Sequence, residues 1–162
     1  MLISEARGYV AQRPVSQRLQ ARLTDIEQKV LERLALGFVP KQIAHELGLS
    51  PKTVLRHRVV LGRKLGVKSN VSIVKAATAL KLLPSRRPSD LDTETPSESP
   101  LLTRRQRQVL VGLVEGLSIK ELAYQLGLSR QTVNRYRSEL AQLLRARGDV
   151  AIYYAAQDRR LV

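Results

Sequence analysis

Apolar residues recur at intervals of three and four along two long stretches of the chain, whereas residues 84–100 between them (PSRRPSDLDTETPSESP) show no apolar period. Pro, Ser and acidic residues dominate that interval, which predicts a flexible linker. In the first stretch Thr24 stands at a helix N-cap ahead of Val30, Leu31 and Leu34, which share one face, and Gly37 stops the segment. A two-turn helix is predicted from Pro40, burying Ile43, Ala44 and Leu47, and Gly48 ends it. Ser50 then caps a third helix running to about Leu65, with Val54, Leu61 and Leu65 facing inward. A fourth begins near Val71. So tight a turn after Gly48 demands a residue at ease at positive φ, and helix, three-residue turn, helix is the result.

The second stretch repeats the first. Residues 23–77 align with 102–156 without a gap at an offset of 79, and roughly 22 of about 55 positions are identical. KQIAHELGLSPKTVLRHR answers KELAYQLGLSRQTVNRYR; Thr103, Gly116, Gly127 and Ser129 punctuate the second copy as their counterparts do the first, and its two-turn helix begins after Ser118. Two copies are too few for a solenoid. The expected architecture is all-α: two small four-helix helix-turn-helix domains, residues 22–83 and 101–162, joined by the flexible Pro/Ser/acidic linker 84–100. Residues 1–21 precede them as a basic arm or short helix, carrying Arg7, Arg13 and Arg18.

Charge then points to a partner. The 162 residues hold 28 Lys and Arg against 14 Asp and Glu, a net +14, of which +10 falls in residues 1–83, −2 in 84–99 and +6 in 100–162. Both repeats are basic and the connector is not, as expected if each repeat meets a polyanion. With no Cys and two His, the chain is not expected to hold a metal, a cofactor or a thiol nucleophile. No HExxH pattern, P-loop or dinucleotide glycine fingerprint occurs, so an enzyme is not expected. There is no Trp, one Phe and no apolar run of about 18 residues, which argues against a membrane partner. The N-terminus lacks a basic segment followed by an apolar one, so a soluble, cytoplasmic chain is expected.

A helix-turn-helix presents the outer face of its second helix to the DNA major groove, while caps, amides and cations hold phosphates. Outward positions of the third helix are Lys52, Leu55, Arg56, Val59 and Arg63 in the first copy, and Gln131, Asn134, Arg135, Ser138 and Gln142 in the second. Arg can bond guanine in a bidentate way, and Asn or Gln can do so at adenine. Base readout is therefore assigned to Asn134, Arg135, Ser138, Gln131, Arg56, Lys52, Leu55 and Val59. Leu55 and Val59 can touch only thymine methyls, or else a protein. Ser50, Ser129 and Arg63 are phosphate candidates.

LT at 23–24, IA at 43–44, LGLS at 47–50, TV at 53–54, His57 and KLGV at 64–67 resemble the LuxR/GerE-type DNA-binding domain of bacterial transcription regulators, and the resemblance covers nearly the whole chain, twice. It implies a third helix in the major groove, phosphate contacts from Thr53, Thr132, Lys41 and Lys120, and a fourth helix that forms the dimer contact. The family usually has Lys after the TV pair, where this chain has Leu55 and Asn134, so target sequence does not transfer. Tyr136 replaces His57 and RARG at 145–148 replaces GVKS at 66–69, making the second copy the more divergent.

The expected function is a sequence-specific regulator bound to double-stranded DNA through tandem units, with nothing large enough to be a receiver or sensing domain. The alternatives are a protein-interaction adaptor acting on RNA polymerase or a second regulator, and a factor similar to region four of sigma factors. A linker of 17 residues spans about 20 to 25 Å on average, against about 34 Å for a DNA turn. Its stretched limit of about 55 to 60 Å lets both units reach one DNA molecule. On the fourth helix Ile73, Ala76, Ala77 and Leu80 form an apolar stripe broader than a small core needs, which predicts a homodimer.

Overall fold

The structure, a computed structural model, describes residues 23–83 and 100–162. The N-terminal arm and nearly all of the linker thus lie outside the described residues. Eight helices are present among the described residues, with no strand. They are α1 (Asp25–Ala35), α2 (Pro40–Leu47), α3 (Pro51–Leu65) and α4 (Asn70–Ala79), then α5 (Arg104–Glu115), α6 (Ile119–Leu126), α7 (Arg130–Leu143) and α8 (Asp149–Asp158).

Most of the helix starts are fixed by side chains that satisfy otherwise orphaned amides. Thr24 Oγ1 accepts the Glu27 N–H at 3.3 Å while the Glu27 carboxylate accepts the Thr24 N–H at 2.8 Å. Thr103 with Gln106, and Ser118 with Glu121, make the same reciprocal pair. α2 has Val39 at its N-cap and begins instead on Pro40, whose missing N–H costs nothing there. Gly48 and Gly127 end α2 and α6 at φ +64° and +63°, a conformation that would strain a side chain with a Cβ, and so set the turn into α3 and α7.

In each unit the third helix is the pivot. α3 packs on α1, α2 and α4, and α7 packs on α5, α6 and α8. Val30, Leu31, Leu34, Ile43, Val54, Leu61, Ile73 and Ala77 fill the first core, and Val109, Leu110, Leu113, Leu122, Val133, Leu140, Ile152 and Ala156 the second. Arg58 Nη1 donates to Asn70 Oδ1 at 3.1 Å, tying α3 to the start of α4. At the equivalent place in the second unit Arg137 pairs with Asp149. The two units also meet: α4 lies against α5 and α8, and Val150, Tyr153 and Tyr154 of α8 pack on the first core.

Candidate nucleic-acid interface

Each third helix starts on a paired-hydroxyl cap. Ser50 Oγ accepts the Thr53 N–H at 3.1 Å and lies 2.8 Å from Thr53 Oγ1. Ser129 and Thr132 repeat this at 3.0 and 2.8 Å. Such a pair has two hydroxyl hydrogens and spends one on its internal bond, which leaves one for an anion. It sits at a helix N-terminus, where amides and macrodipole favour negative charge. All four predicted hydroxyl positions are thus brought together in two equivalent clusters, and Lys41 and Lys120 are exposed on the preceding helices α2 and α6.

Beyond the caps, the outward positions are the expected ones. Lys52, Leu55, Arg56, Val59 and Arg63 are exposed on α3, as are Gln131, Asn134, Arg135, Ser138 and Gln142 on α7. The chemistry of the two faces differs. Leu55 and Val59 keep 44% and 45% of their surface in solvent, giving α3 an apolar centre between cations. On α7 the same two places hold Asn134 and Ser138. Arg135 lies 3.5 Å from Glu139 Oε1 and stacks its guanidinium 5.3 Å from the Tyr136 ring centroid. An exposed pair of that kind is worth well under about 1 kcal/mol, so it orients Arg135 without holding it back from a base.

Several supporting residues escaped sequence reading. Glu27, in the first turn of α1, is buried and accepts Lys64 Nζ of α3 at 2.6 Å. Burial alone would push its carboxyl up, but the Lys64 ammonium and the Thr24 amide outweigh that and hold it below the usual carboxylate range. Glu121 is also lowered, chiefly by hydrogen bonds from the Ser118 side chain and amide, with the charges of Lys68 and Lys120 adding to the effect. Thr24 followed three residues later by Glu27 is a legible capping signature; the Lys64 partner, far along the chain, is not. On α4, Ile73 and Ala77 are buried within the chain and Ala76 and Leu80 are half-buried. Among the described residues no helix is long and apolar enough to cross a membrane, and no three potential metal ligands cluster.

Residues 21–77 and 100–156 each match the family described as bacterial regulatory proteins, luxR family. The chain belongs to that family. Transcriptional regulatory protein UhpA of Escherichia coli K12 is 52% identical over 56 residues, 35% of this chain and 29% of UhpA. Response regulator UvrY of the same strain is 28% identical over 129 residues, 79% of this chain and 52% of UvrY. Transcriptional regulatory protein FixJ of Azorhizobium caulinodans is 40% identical over 60 residues, 37% of this chain and 28% of FixJ. The chain therefore spans between about a quarter and about half of these relatives' lengths. No solved structure gives a significant match. As a LuxR-family chain it carries the helix-turn-helix of DNA-binding transcription regulators, in two copies.

Proposed function

We propose that this LuxR-family chain regulates transcription by gripping one double-stranded DNA with both units, α3 and α7 each entering a major groove. The observation that supports this most is the exposed face of α7. There Gln131, Asn134, Arg135 and Ser138 line up behind the Ser129–Thr132 hydroxyl pair, so base-reading groups and a phosphate clamp share one helix. In this reading Asn134 and Gln131 favour adenine, Arg135 and Arg56 favour guanine, and Ser138 and Lys52 add polar contacts to base edges. Leu55 and Val59 meet thymine methyls. Thr53, Thr132, Ser50, Ser129, Lys41, Lys120 and Arg63 hold phosphates. In this reading the protein works in the cytoplasm, where its DNA is.

A mobility-shift titration tests the reading. Affinity for a selected site should exceed that for random DNA by a factor of about 1,000 or more, and log affinity should fall by about 0.9 per neutralised phosphate for each unit of log salt. Binding without sequence preference at any salt would overturn it. The exposed Leu55 and Val59 favour a second reading for the first unit alone, in which α3 docks on RNA polymerase or another regulator while α7 reads DNA. Leu55→Ala and Val59→Ala variants that keep full DNA affinity yet lose transcriptional output would select it.

A further inference from the structure

The contacts between the two units are reciprocal. Ser72, at the start of α4, donates its hydroxyl to the Gly116 carbonyl at the end of α5, 2.9 Å away. Adding the repeat offset of 79 to Ser72 gives Ala151, and subtracting it from Gly116 gives Gly37. Ala151, at the start of α8, indeed packs on Gly37, where an added Cβ would lie 3.4 Å from that of Ala151. Further contacts join the units beside this exchanged pair. Lys75 Nζ of α4 donates to the Val114 carbonyl of α5 at 3.2 Å. Its counterpart on α8, Tyr154, packs on the first core, and Gly148 before α8 closes on Val39 before α2. Patch p of one unit meets patch q of the other, and q meets p. That exchange defines an isologous interface, the kind that a two-fold axis generates between identical subunits.

We infer that the two repeats form an internal pseudo-dimer, so that one chain presents α3 and α7 in inverted orientation and occupies one quasi-palindromic DNA site with two unlike half-sites. This rests on the DNA-binding reading above for its ligand, and on the reciprocal contacts alone for its geometry. α4 is in contact with α5 and α8 of the same chain, while Ile73 and Ala77 of the stripe expected to meet a second copy are buried in their own unit's core. A homodimer through α4 is the competing arrangement, and it would have to displace these contacts. Arg56 and Arg135 occupy equivalent places, so the half-sites share a guanine. Leu55 and Val59 against Asn134 and Ser138 make them differ beside it, thymine methyls being favoured under α3 and adenine under α7.

The test uses the whole chain. Sedimentation at micromolar concentration should give a monomer of 18.2 kDa. On a selected operator, a mixture of the native chain and a mass-tagged copy should give two shifted bands and no hybrid. Inverting one half-site to make a direct repeat should weaken binding by at least tenfold. A free dimer, a hybrid band or equal affinity for the direct repeat overturns the inference. Ser72→Arg combined with Ala151→Arg wedges the contact without touching either recognition helix. Expected are an enlarged hydrodynamic radius with unchanged helix content and a loss of affinity for the two-half-site operator toward that of one unit. An unchanged radius and affinity overturns the pairing. If no DNA sequence is preferred, the regulator reading fails, and the pairing is still decided by the mass and the radius of the free protein.

Discussion

The two units share one fold and differ where they face outward. Leu61 and Leu140, at equivalent places, are both fully buried, and the Arg58–Asn70 and Arg137–Asp149 pairs clamp third helix to fourth in the same way. Yet Lys52, Leu55, Val59 and Arg63 on α3 become Gln131, Asn134, Ser138 and Gln142 on α7, and of the five outward positions the arginine alone is kept. Core positions tolerate little change because a lost methylene leaves a cavity, whereas solvent-facing positions carry no such cost and are free to specialise. The comparison therefore separates what holds a unit together from what the unit presents to a partner.

The strongest test of the shared part is Leu61→Ala against Leu140→Ala. Each should lose about 2 to 5 kcal/mol in urea unfolding. If the units are coupled through α4 and α8, either variant should shift a single transition; two separate transitions would show independent units. For the part that differs, Arg135→Ala and Arg56→Ala should each cost about 1 to 3 kcal/mol on the operator and little on random DNA. A uniform loss on both DNAs would mean that the arginine holds phosphate.

A third comparison concerns Glu27 and its counterpart Gln106. Because the Glu27 carboxyl is held below its ordinary range, its contribution is complete above the unfolded value and is lost as pH falls through the folded one. Glu27→Gln should therefore cost about 1 to 2 kcal/mol at pH 7, a moderate loss for a pair whose lysine still reaches water. It should also flatten the decline in stability below about pH 4.5, while Gln106→Ala leaves that acid limb unchanged. Thermal unfolding from pH 7 to pH 2 checks both. The smallest effect is expected after the third helices. Gly66 ends α3 at φ +71°, but the equivalent Arg145 is forced to φ +52°. Arg145→Gly should stabilise the second unit by about 1 kcal/mol, and Gly66→Arg should destabilise the first by as much. If Arg145→Gly is neutral or harmful in chemical denaturation, the arginine has a role that outweighs its backbone strain.

Helix ends and faces were legible because their determinants are local. Thr24, Ser50, Ser129 and the turn glycines act within four residues, and a period of 3.6 sorts Val54 from Leu55 without knowledge of the rest. The exposed faces of α3 and α7 follow from that period. What stayed hidden acts at long range. Glu27 meets Lys64 only after α3 folds back on α1, and nothing in their spacing signals it. The packing between the units was harder still, because Val150, Tyr153 and Tyr154 look like ordinary core residues of their own helix and the remaining contacts run through Ser72, Ala151 and two glycines, small residues that carry no hydrophobic pattern. A long polar linker, moreover, argues for units that stay apart. The alignment offset held the missing information, since it shows which contacts are each other's mirror images.

The proposed pairing of two reading heads in one polypeptide also changes how such a protein can evolve. When identical subunits pair, one codon specifies the same position in both halves, and any change of preference must be matched twice in the operator. If the two units read unlike half-sites as proposed, a change in the codon for Asn134 alters one half while Leu55 keeps the other anchored. The target can then drift one side at a time, and each intermediate site retains a partner that still binds.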